Sequence, residues 1–513
     1  MDSPLVTKLF RQLFTNRASQ CLTRRAHPAF ATGRHVHIHR RGLASRKEPG
    51  ETTSESGWKP RTQAFPHERI EEFDRYPMVT ASILKNRRER PKRVKMLLRD
   101  FISDSLYNPH YGYFSKQVVI FSPGDPFNFN KMKTEEVFHK QLRRRYIEFE
   151  EALDLQEPND LRQLWHTPTE LFSPYYGEAI GRYIVHDYYL NHYPHRDLNI
   201  YEMGAGNGTM MLNILDYLRR VHPEVYDQTK YTIIEISSSL ASLQQEGLGQ
   251  TIQSRGHTDK VKIVNRSIFD WNQTVWSPCY FVALEVFDNF AHDAIKYDLT
   301  TGEAYQSHVV VDQRGELYEY YTKEIDPIAR EYLNRRDIIW GNFSQPPPHP
   351  LDKPGMDKSG MIQRLRSLLP VSDNLSGPEY IPTMMMEFFH VLDRFFPDSY
   401  LISSDFNKLN DAVPGINGPV VQTRYKKQMI PVTTPLVHQG YFDILFPTDF
   451  DVAAKMYSNI TNKHAIHMTH EDFMNGRADV LETQTKNGEN PMVTWYQNAS
   501  FLLTWGSYSD LRP

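Results

Sequence analysis

Between Leu198 and Met211 the chain reads LNIYEMGAGNGTMM, and no other stretch limits its folding options so sharply. Leu198, Ile200 and Glu202 alternate with Asn199, Tyr201 and Met203 in the period of a strand, and Gly204, Gly206 and Gly208 follow at once. Glycine is needed where backbone turns tightly or passes close to a ligand, so strand, turn and helix (MMLNILDYLRRV) are expected in succession. A second apolar run, YTIIE, closes on Glu235, 33 residues after Glu202. Two strands that each end in a carboxylate, joined through a glycine turn and a helix, suit a nucleotide-type cofactor.

The alternation continues with a helix (SSLASLQQEG), a strand (VKIVNRS), a short loop from Ser267 to Asp270 and a strand (YFVALEVF). Strands alternating with helices predict a parallel sheet with right-handed crossovers, and in such sheets ligands bind beyond the carboxyl ends of the strands. There, Glu202 meets the ammonium-bearing end of the ligand, and Gly204, Ala205, Gly206, Asn207 and Gly208 form the turn against it. Glu235 accepts both ribose hydroxyls, and Ser267 and Asp270 lie beside the adenine. A dinucleotide such as NAD is the competing class. EMGAGNG lacks the G-x-G-x-x-G spacing that a pyrophosphate prefers, and a carboxylate directly before the glycines repels phosphate. The cofactor read from these residues is S-adenosyl-L-methionine (SAM), with no metal.

The fourth strand, ALEVFDNF, places Glu285 and Asp288 where a methyl acceptor would enter. Paired carboxylates orient a guanidinium by bidentate bonds and take its proton, which makes these two the candidate catalytic residues. Structural hydrogen bonding by Glu285 and helix capping by Asp288 account for them equally well. Asp405, at the end of YLISSDF, either joins the acceptor pocket or caps a turn. His464, His467 and His470 walk around a helix at i, i+3, i+6 and do not converge as zinc ligands do, while Thr469 reads as an N-cap.

Outside this core, VKMLLRDFISDSLY gives a helical stripe through Met96, Leu97, Phe101 and Leu106, and Ser173-Pro174 opens another helix. HVVVDQRGELYEYY reads as a hairpin about Gln313-Arg314-Gly315, and the Pro-rich stretch at 342–354 as an exposed loop. The formal charge of −3 over 513 residues gives no overall attraction to nucleic acid or anionic membrane. Cys21 and Cys279 are the only cysteines, which excludes a disulfide framework. No run approaches the roughly 20 apolar residues of a membrane-spanning helix.

Between Asp2 and Glu48 no acid occurs, while arginines recur from Arg11 to Arg41 among Leu, Ala, Ser and Thr. That composition fits a mitochondrial transit peptide, with a disordered basic tail or a nucleic-acid arm as alternatives. The expected organisation is a transit peptide at 1–46, a disordered linker at 47–65, and a helical N-terminal region at 66–197 with an insertion at about 117–165. A SAM-binding core with hairpin and loop insertions follows at 198–480, and a C-terminal segment at 481–513. The fold class is α/β: a class I methyltransferase (Rossmann-like) sheet, mainly parallel, with a helical N-terminal extension and α+β insertions.

Taken together, FISDSLYNPHYGYF (Phe101 to Phe114), LFSPYYGEAIG (Leu171 to Gly181), EMGAGNGT (Glu202 to Thr209) and EVFDNF (Glu285 to Phe290) resemble the MidA-like family of mitochondrial methyltransferases. Animal members of that family assist assembly of respiratory complex I and methylate a subunit arginine. The family usually has Pro and Arg where Ala205 and Asn207 stand, and Asn and Pro where Leu284 and Ala291 stand, which marks a divergent paralogue. The resemblance implies a SAM-dependent protein-arginine methyltransferase of the mitochondrial matrix whose partner is a protein substrate, a respiratory-complex subunit. The alternative is a SAM-binding or catalytically silent assembly factor working through protein or RNA contacts, with basic segments Asn86 to Arg99 and Arg143 to Arg145 as surfaces.

Overall fold

Leu198, Ile200 and Glu202 are buried along one side of a central strand, and the rest of the architecture is arranged about it. The computed structural model describes residues 69–116, 118–236, 248–298, 301–340, 375–409 and 418–507. The expected leader and linker fall outside these residues, as do the helix expected at 238–247 and the Pro-rich loop at 342–354. In chain order come β1 (Val94–Leu97), α1 (Leu98–Tyr107), β2 (Val118–Ile120), α2 (Glu135–Gln156), β3 (Gln163–Trp165) and α3 (Tyr175–Asn191). Then follow β4 (Leu198–Met203), α4 (Thr209–Val221), β5 (Thr229–Glu235), β6 (Val261–Asn265) and β7 (Cys279–Leu284). β8 (Asp293–Tyr297), β9 (Ala304–Val311), β10 (Leu317–Thr322), α5 (Pro327–Trp340) and β11 (Glu379–Ile381) lead to α6 (Thr383–Phe395) and β12 (Ser399–Phe406). The last part holds β13 (Val420–Tyr425), β14 (Gln428–Val432), β15 (Asp443–Leu445), α7 (Phe450–Thr461), β16 (Lys463–Thr469), α8 (His470–Arg477) and β17 (Ala499–Ser507).

Seven strands form the central sheet in the order β16-β17-β12-β7-β4-β5-β6. β6, β5, β4, β7 and β12 run parallel, and β17 is antiparallel to both its neighbours. The order reverses at β4, from which the chain steps outward through β5 and β6 and then returns to the other side as β7. That reversal opens a crevice at the carboxyl ends of β4 and β7, the place where open α/β sheets bind ligands. One face of the sheet is covered by α3 and α4, whose Ile180, Ile184, Ile214 and Leu218 pack on Ile200 and Ile233. A Cβ at Gly181 would come 3.1 Å from the Tyr217 ring, so glycine there permits the close approach of these two helices. The other face is covered by α6 and α7, with Met386, Phe389, Met456 and Tyr457 packed on Phe281, Leu401 and Leu502.

The expectation of a mainly parallel sheet needs correction. Among the described residues five strand pairings are parallel and eight antiparallel, so the sheets are mixed. The difference lies in the inserts: β1, β8, β9, β10 and β11 form one antiparallel sheet and β14-β13-β15 another. Antiparallel neighbours need only short connections, whereas each parallel pair needs a crossover of a dozen residues or more. The expected hairpin is present, with Val311 opposite Leu317 and Asp312, Gln313, Arg314, Gly315 and Glu316 at its turn.

Other segments depart from expectation for tertiary reasons. Met96 and Leu97 lie in strand β1, not in a helix, because Val94 to Leu97 pair with Val311 to His308 of β9. Ser173 leaves α3 uncapped, since its hydroxyl bonds to Asn213 Oδ1 at 3.3 Å. His464 and His467 sit on strand β16 and His470 opens α8, where Thr469 accepts from Asp472 N as an N-cap. The segment set apart at 481–513 supplies β17, which lies inside the central sheet between β12 and β16. Likewise, the N-terminal region expected to be helical contributes β1, β2 and β3. No described helix is long and apolar enough to cross a membrane.

Candidate active site

A cavity of about 910 Å³ opens at the carboxyl ends of β4, β5, β6 and β7. Glu202, Gly204, Ala205, Gly206, Asn207, Glu235, Ser267, Asp270, Glu285 and Asp288 all line it. Gly208 is the exception among the expected site residues: with φ at 77° it is the left-handed N-cap of α4 and shapes the turn from behind. Gly204 and Gly206 have φ of 71° and 53°, in the region L side chains avoid. A Cβ on Gly206 would stand 2.6 Å from Ile120 Cδ1, so the turn also passes close to β2.

One buried carboxylate fastens this turn from outside. Glu170 accepts from Asn207 Nδ2 at 3.1 Å and from Thr209 Oγ1 at 2.6 Å, and burial raises its pKa. It was not singled out from sequence, although it stands directly before the LFSPYYGEAIG segment. Thr167 places it, accepting from the Glu170 backbone N–H at 3.2 Å as an N-cap.

Glu202 is 5% exposed and accepts from the Tyr231 hydroxyl at 2.8 Å. Burial pushes its pKa up to about 7; the Tyr231 bond opposes the rise and the charge of Glu235 adds to it. Glu235 is equally enclosed at the end of β5. Ser267 Oγ accepts from Phe269 N at 3.3 Å and so shapes the loop after β6. Asp270 stands half-exposed at the mouth, 2.5 Å from Lys85 Nζ. The glycine floor without side chains, an acid at each strand end and a volume within the usual ~300–1,000 Å³ of ligand pockets fit a cofactor with an ammonium group and a ribose.

The end of β7 carries backbone strain. Glu285 is a non-glycine residue at φ 52°, a conformation that costs about 1–3 kcal/mol and persists only where its surroundings enforce it. Asp405, at the end of β12, enforces it. Its Oδ2 accepts from Phe287 N at 2.8 Å and Asp288 N at 3.2 Å, and its Oδ1 from Phe406 N at 2.7 Å. Of the two roles expected for Asp405, turn capping is the one these bonds describe. Asp288 caps no helix: the chain passes through a turn into β8, and Asp288 Oδ1 is buried without a partner. Burial raises the pKa values of Glu285 and Asp288, and the charge of Asp405 adds to both.

The basic segment from Asn86 to Arg99 is in part structural. Arg99 is buried between Asp293, at 2.8 Å, and Asp326, and Arg90 lies over the Tyr111 and Tyr441 rings. Arg145 Nη1 bonds to the Pro123 carbonyl at 3.1 Å, and Arg144 pairs with Glu148 on the surface of α2. Elsewhere Glu331, Glu387 and His390 place their ligand atoms within 4.8 Å of one another. Glu331 there already meets Arg335 and His390 at 2.8 and 3.0 Å.

A Rossmann-like sheet whose switch-point cavity is floored by glycines and flanked by strand-end acids defines a nucleotide-cofactor α/β protein. The sequence model of the S-adenosyl-L-methionine-dependent methyltransferase family Methyltransf_28 matches residues 179–469, over half the chain, and the chain belongs to that family. SAM is its cofactor. Over 334 residues, 64% of this chain and 67% of the relative, it is 28% identical to the mitochondrial "Protein arginine methyltransferase NDUFAF7 homolog" of Schizosaccharomyces pombe. The MidA-like resemblance is thus borne out. Among solved structures, the chain matches a "COG1565 superfamily member and likely methyl transferase" of Burkholderia thailandensis bound to S-adenosyl-homocysteine at TM-score 0.49 and 14% identity, covering 80% of this chain and 88% of that one.

Proposed function

We propose that this methyltransferase acts on an arginine side chain of a mitochondrial protein, a subunit of respiratory complex I during its assembly. The observation that carries the reading is the pair of acids Glu285 and Asp288 at the cavity end of β7, Asp288 being buried with an unpartnered oxygen. In this reading Glu202 binds the cofactor's ammonium and Glu235 its ribose hydroxyls. The glycine turn from Gly204 to Gly208, with Ala205 and Asn207, lets the backbone approach, and Ser267 and Asp270 border the adenine. When bound, SAM supplies a methyl group on a sulfonium that leaves as a neutral thioether. Glu285 and Asp288 hold the acceptor nitrogen in line, and Asp288 takes the proton that nitrogen loses. Orientation of this kind lowers a barrier by several kcal/mol, with ~7–11 kcal/mol the limit for well-aligned groups. The mitochondrial site of action is supported by the relative's name and by the Arg-rich, acid-poor first 46 residues.

The test is transfer of labelled methyl from SAM into a mitochondrial protein extract, with arginine identified as the modified residue. Gly204→Val places a branched side chain at φ 71° and 3.0 Å from Val286 Cγ1, and is expected to abolish both SAM binding and label transfer. A chain that binds SAM by calorimetry yet labels nothing would instead favour the assembly-factor reading.

A further inference from the structure

The acid-rich end of the cavity holds a carboxyl that no strand-end pattern singles out. Asp443 opens β15 in the insert sheet β14-β13-β15, is 2% exposed, and lines the same cavity as Asp288. Its Oδ1 accepts from Asn289 Nδ2 at 3.0 Å and from Ile444 N at 2.9 Å, while Oδ2 accepts from no described residue. Asn289 Nδ2 also donates to the Ile444 carbonyl at 3.1 Å, and Phe446 N donates to the Asp288 carbonyl at 2.7 Å. The turn after β7 and strand β15 are therefore fastened at three points, which sets the two carboxyls in fixed relation. Asp288 Oδ1 is likewise without a donor.

Asp288 and Asp443 line one cavity, and neither Asp288 Oδ1 nor Asp443 Oδ2 accepts from a described residue, an arrangement that suits a ligand with two N–H groups. A guanidinium presents a planar fork of donors and delocalised charge, whereas an ammonium is a compact, strongly hydrated point charge. We propose that Asp443 is a further carboxyl of the acceptor subsite and that Asp288 and Asp443 together grip the two edges of a guanidinium group. This rests on the arginine reading above and adds to it a residue from the insert. Around the pair stand Glu285, Asp405 and Glu235, together with Tyr107, whose hydroxyl donates to the Asn289 carbonyl at 3.2 Å. Burial and crowding favour protonated carboxyls here, with Asp443 pushed up to about 7. Arrival of a cation then expels a proton.

The test uses the full-length protein saturated with S-adenosyl-homocysteine and titrated with methylguanidinium, in two buffers of different ionisation enthalpy. Wild-type protein is expected to bind the probe with proton release, at least tenfold tighter than ethylammonium, and with affinity that rises as pH goes from 6 to 8. Asp443→Asn keeps an oxygen for Asn289 and Ile444 but turns an amide into the cavity. It is expected to weaken methylguanidinium at least tenfold and reduce the proton release, with S-adenosyl-homocysteine affinity unchanged. Equal binding by wild type and Asp443→Asn overturns the inference. So does wild-type binding that is independent of pH or no tighter for methylguanidinium than for ethylammonium, a result that needs no variant to fold. Wild type that grips methylguanidinium through Asp443 yet methylates no arginyl peptide overturns the arginine-transfer reading and leaves the subsite standing.

Discussion

Glu202 concentrates the residue-scale chemistry, because its burial opposes the charge that its proposed contact with the cofactor's ammonium requires. In the folded protein it holds its proton up to about pH 7, whereas in the unfolded chain it releases it near 4.5. The folded state therefore binds more protons between those values. The resulting stability is fully present below about 4.5 and is lost as pH rises through about 7. A cationic ligand favours the carboxylate, so SAM binding below pH 7 must displace a proton, and affinity rises by up to about tenfold per pH unit before levelling. Calorimetric Kd values at pH 6, 7 and 8 check this, and Glu202→Gln is expected to give weaker, pH-independent binding. The position of Glu202 was legible in sequence because strand, acid and glycines are contiguous. Its partner Tyr231, on the neighbouring strand, was not, since pairing Glu202 with β5 is a matter of register.

At the scale of elements, the turn from Glu285 to Phe290 is held by other parts of the chain and not by its own sequence. Asp405 receives two of its backbone N–H groups, and Glu285 N bonds to the Ser404 carbonyl at 2.8 Å. Asp405→Ala leaves buried donors unsatisfied, at about 1–3 kcal/mol for each group. A loss of roughly 2–4 kcal/mol in urea-induced unfolding is expected, with Glu285 freed to leave its positive φ. Activity should fall further than SAM affinity, because the acceptor end is disturbed while the glycine turn is not. The same dependence on neighbours explains why Val94 to Leu97 read as helix: their apolar spacing suits either period, and β9 decides. The helices α3 and α4, by contrast, were legible because their periodic apolar faces are self-contained.

The whole molecule is closed by its last described strand. β17 joins β12 on one side and β16 on the other, so two ladders of the central sheet depend on residues 499–507. Deleting the chain after Asn498 exposes both neighbouring strand edges and removes Phe501, Leu502 and Leu503 from the core. The truncated chain is expected to lose cooperative thermal unfolding, followed by circular dichroism, although every expected cofactor residue is still present. A boundary near 480 was the natural reading of the sequence, because a strand added between two others from the far end of the chain leaves no local mark. Strand, helix and strand were legible over β4, α4 and β5, where the crossover is short and contiguous.

Contiguous pattern was enough to place the proposed cofactor half of the cavity: the strand periods, the glycines and the acids that end β4 and β5 all lie within 38 residues, from Leu198 to Glu235. Backbone geometry there is local, and positive φ at Gly204, Gly206 and Gly208 is written in the residue type itself. The proposed acceptor half depends on packing in three dimensions. Glu285, Asp288, Asp405 and Asp443 come from β7, β12 and β15 and share one buried region. Their raised pKa values and the unpaired oxygen of Asp288 follow from burial and mutual repulsion, which exist only once distant strands have packed together.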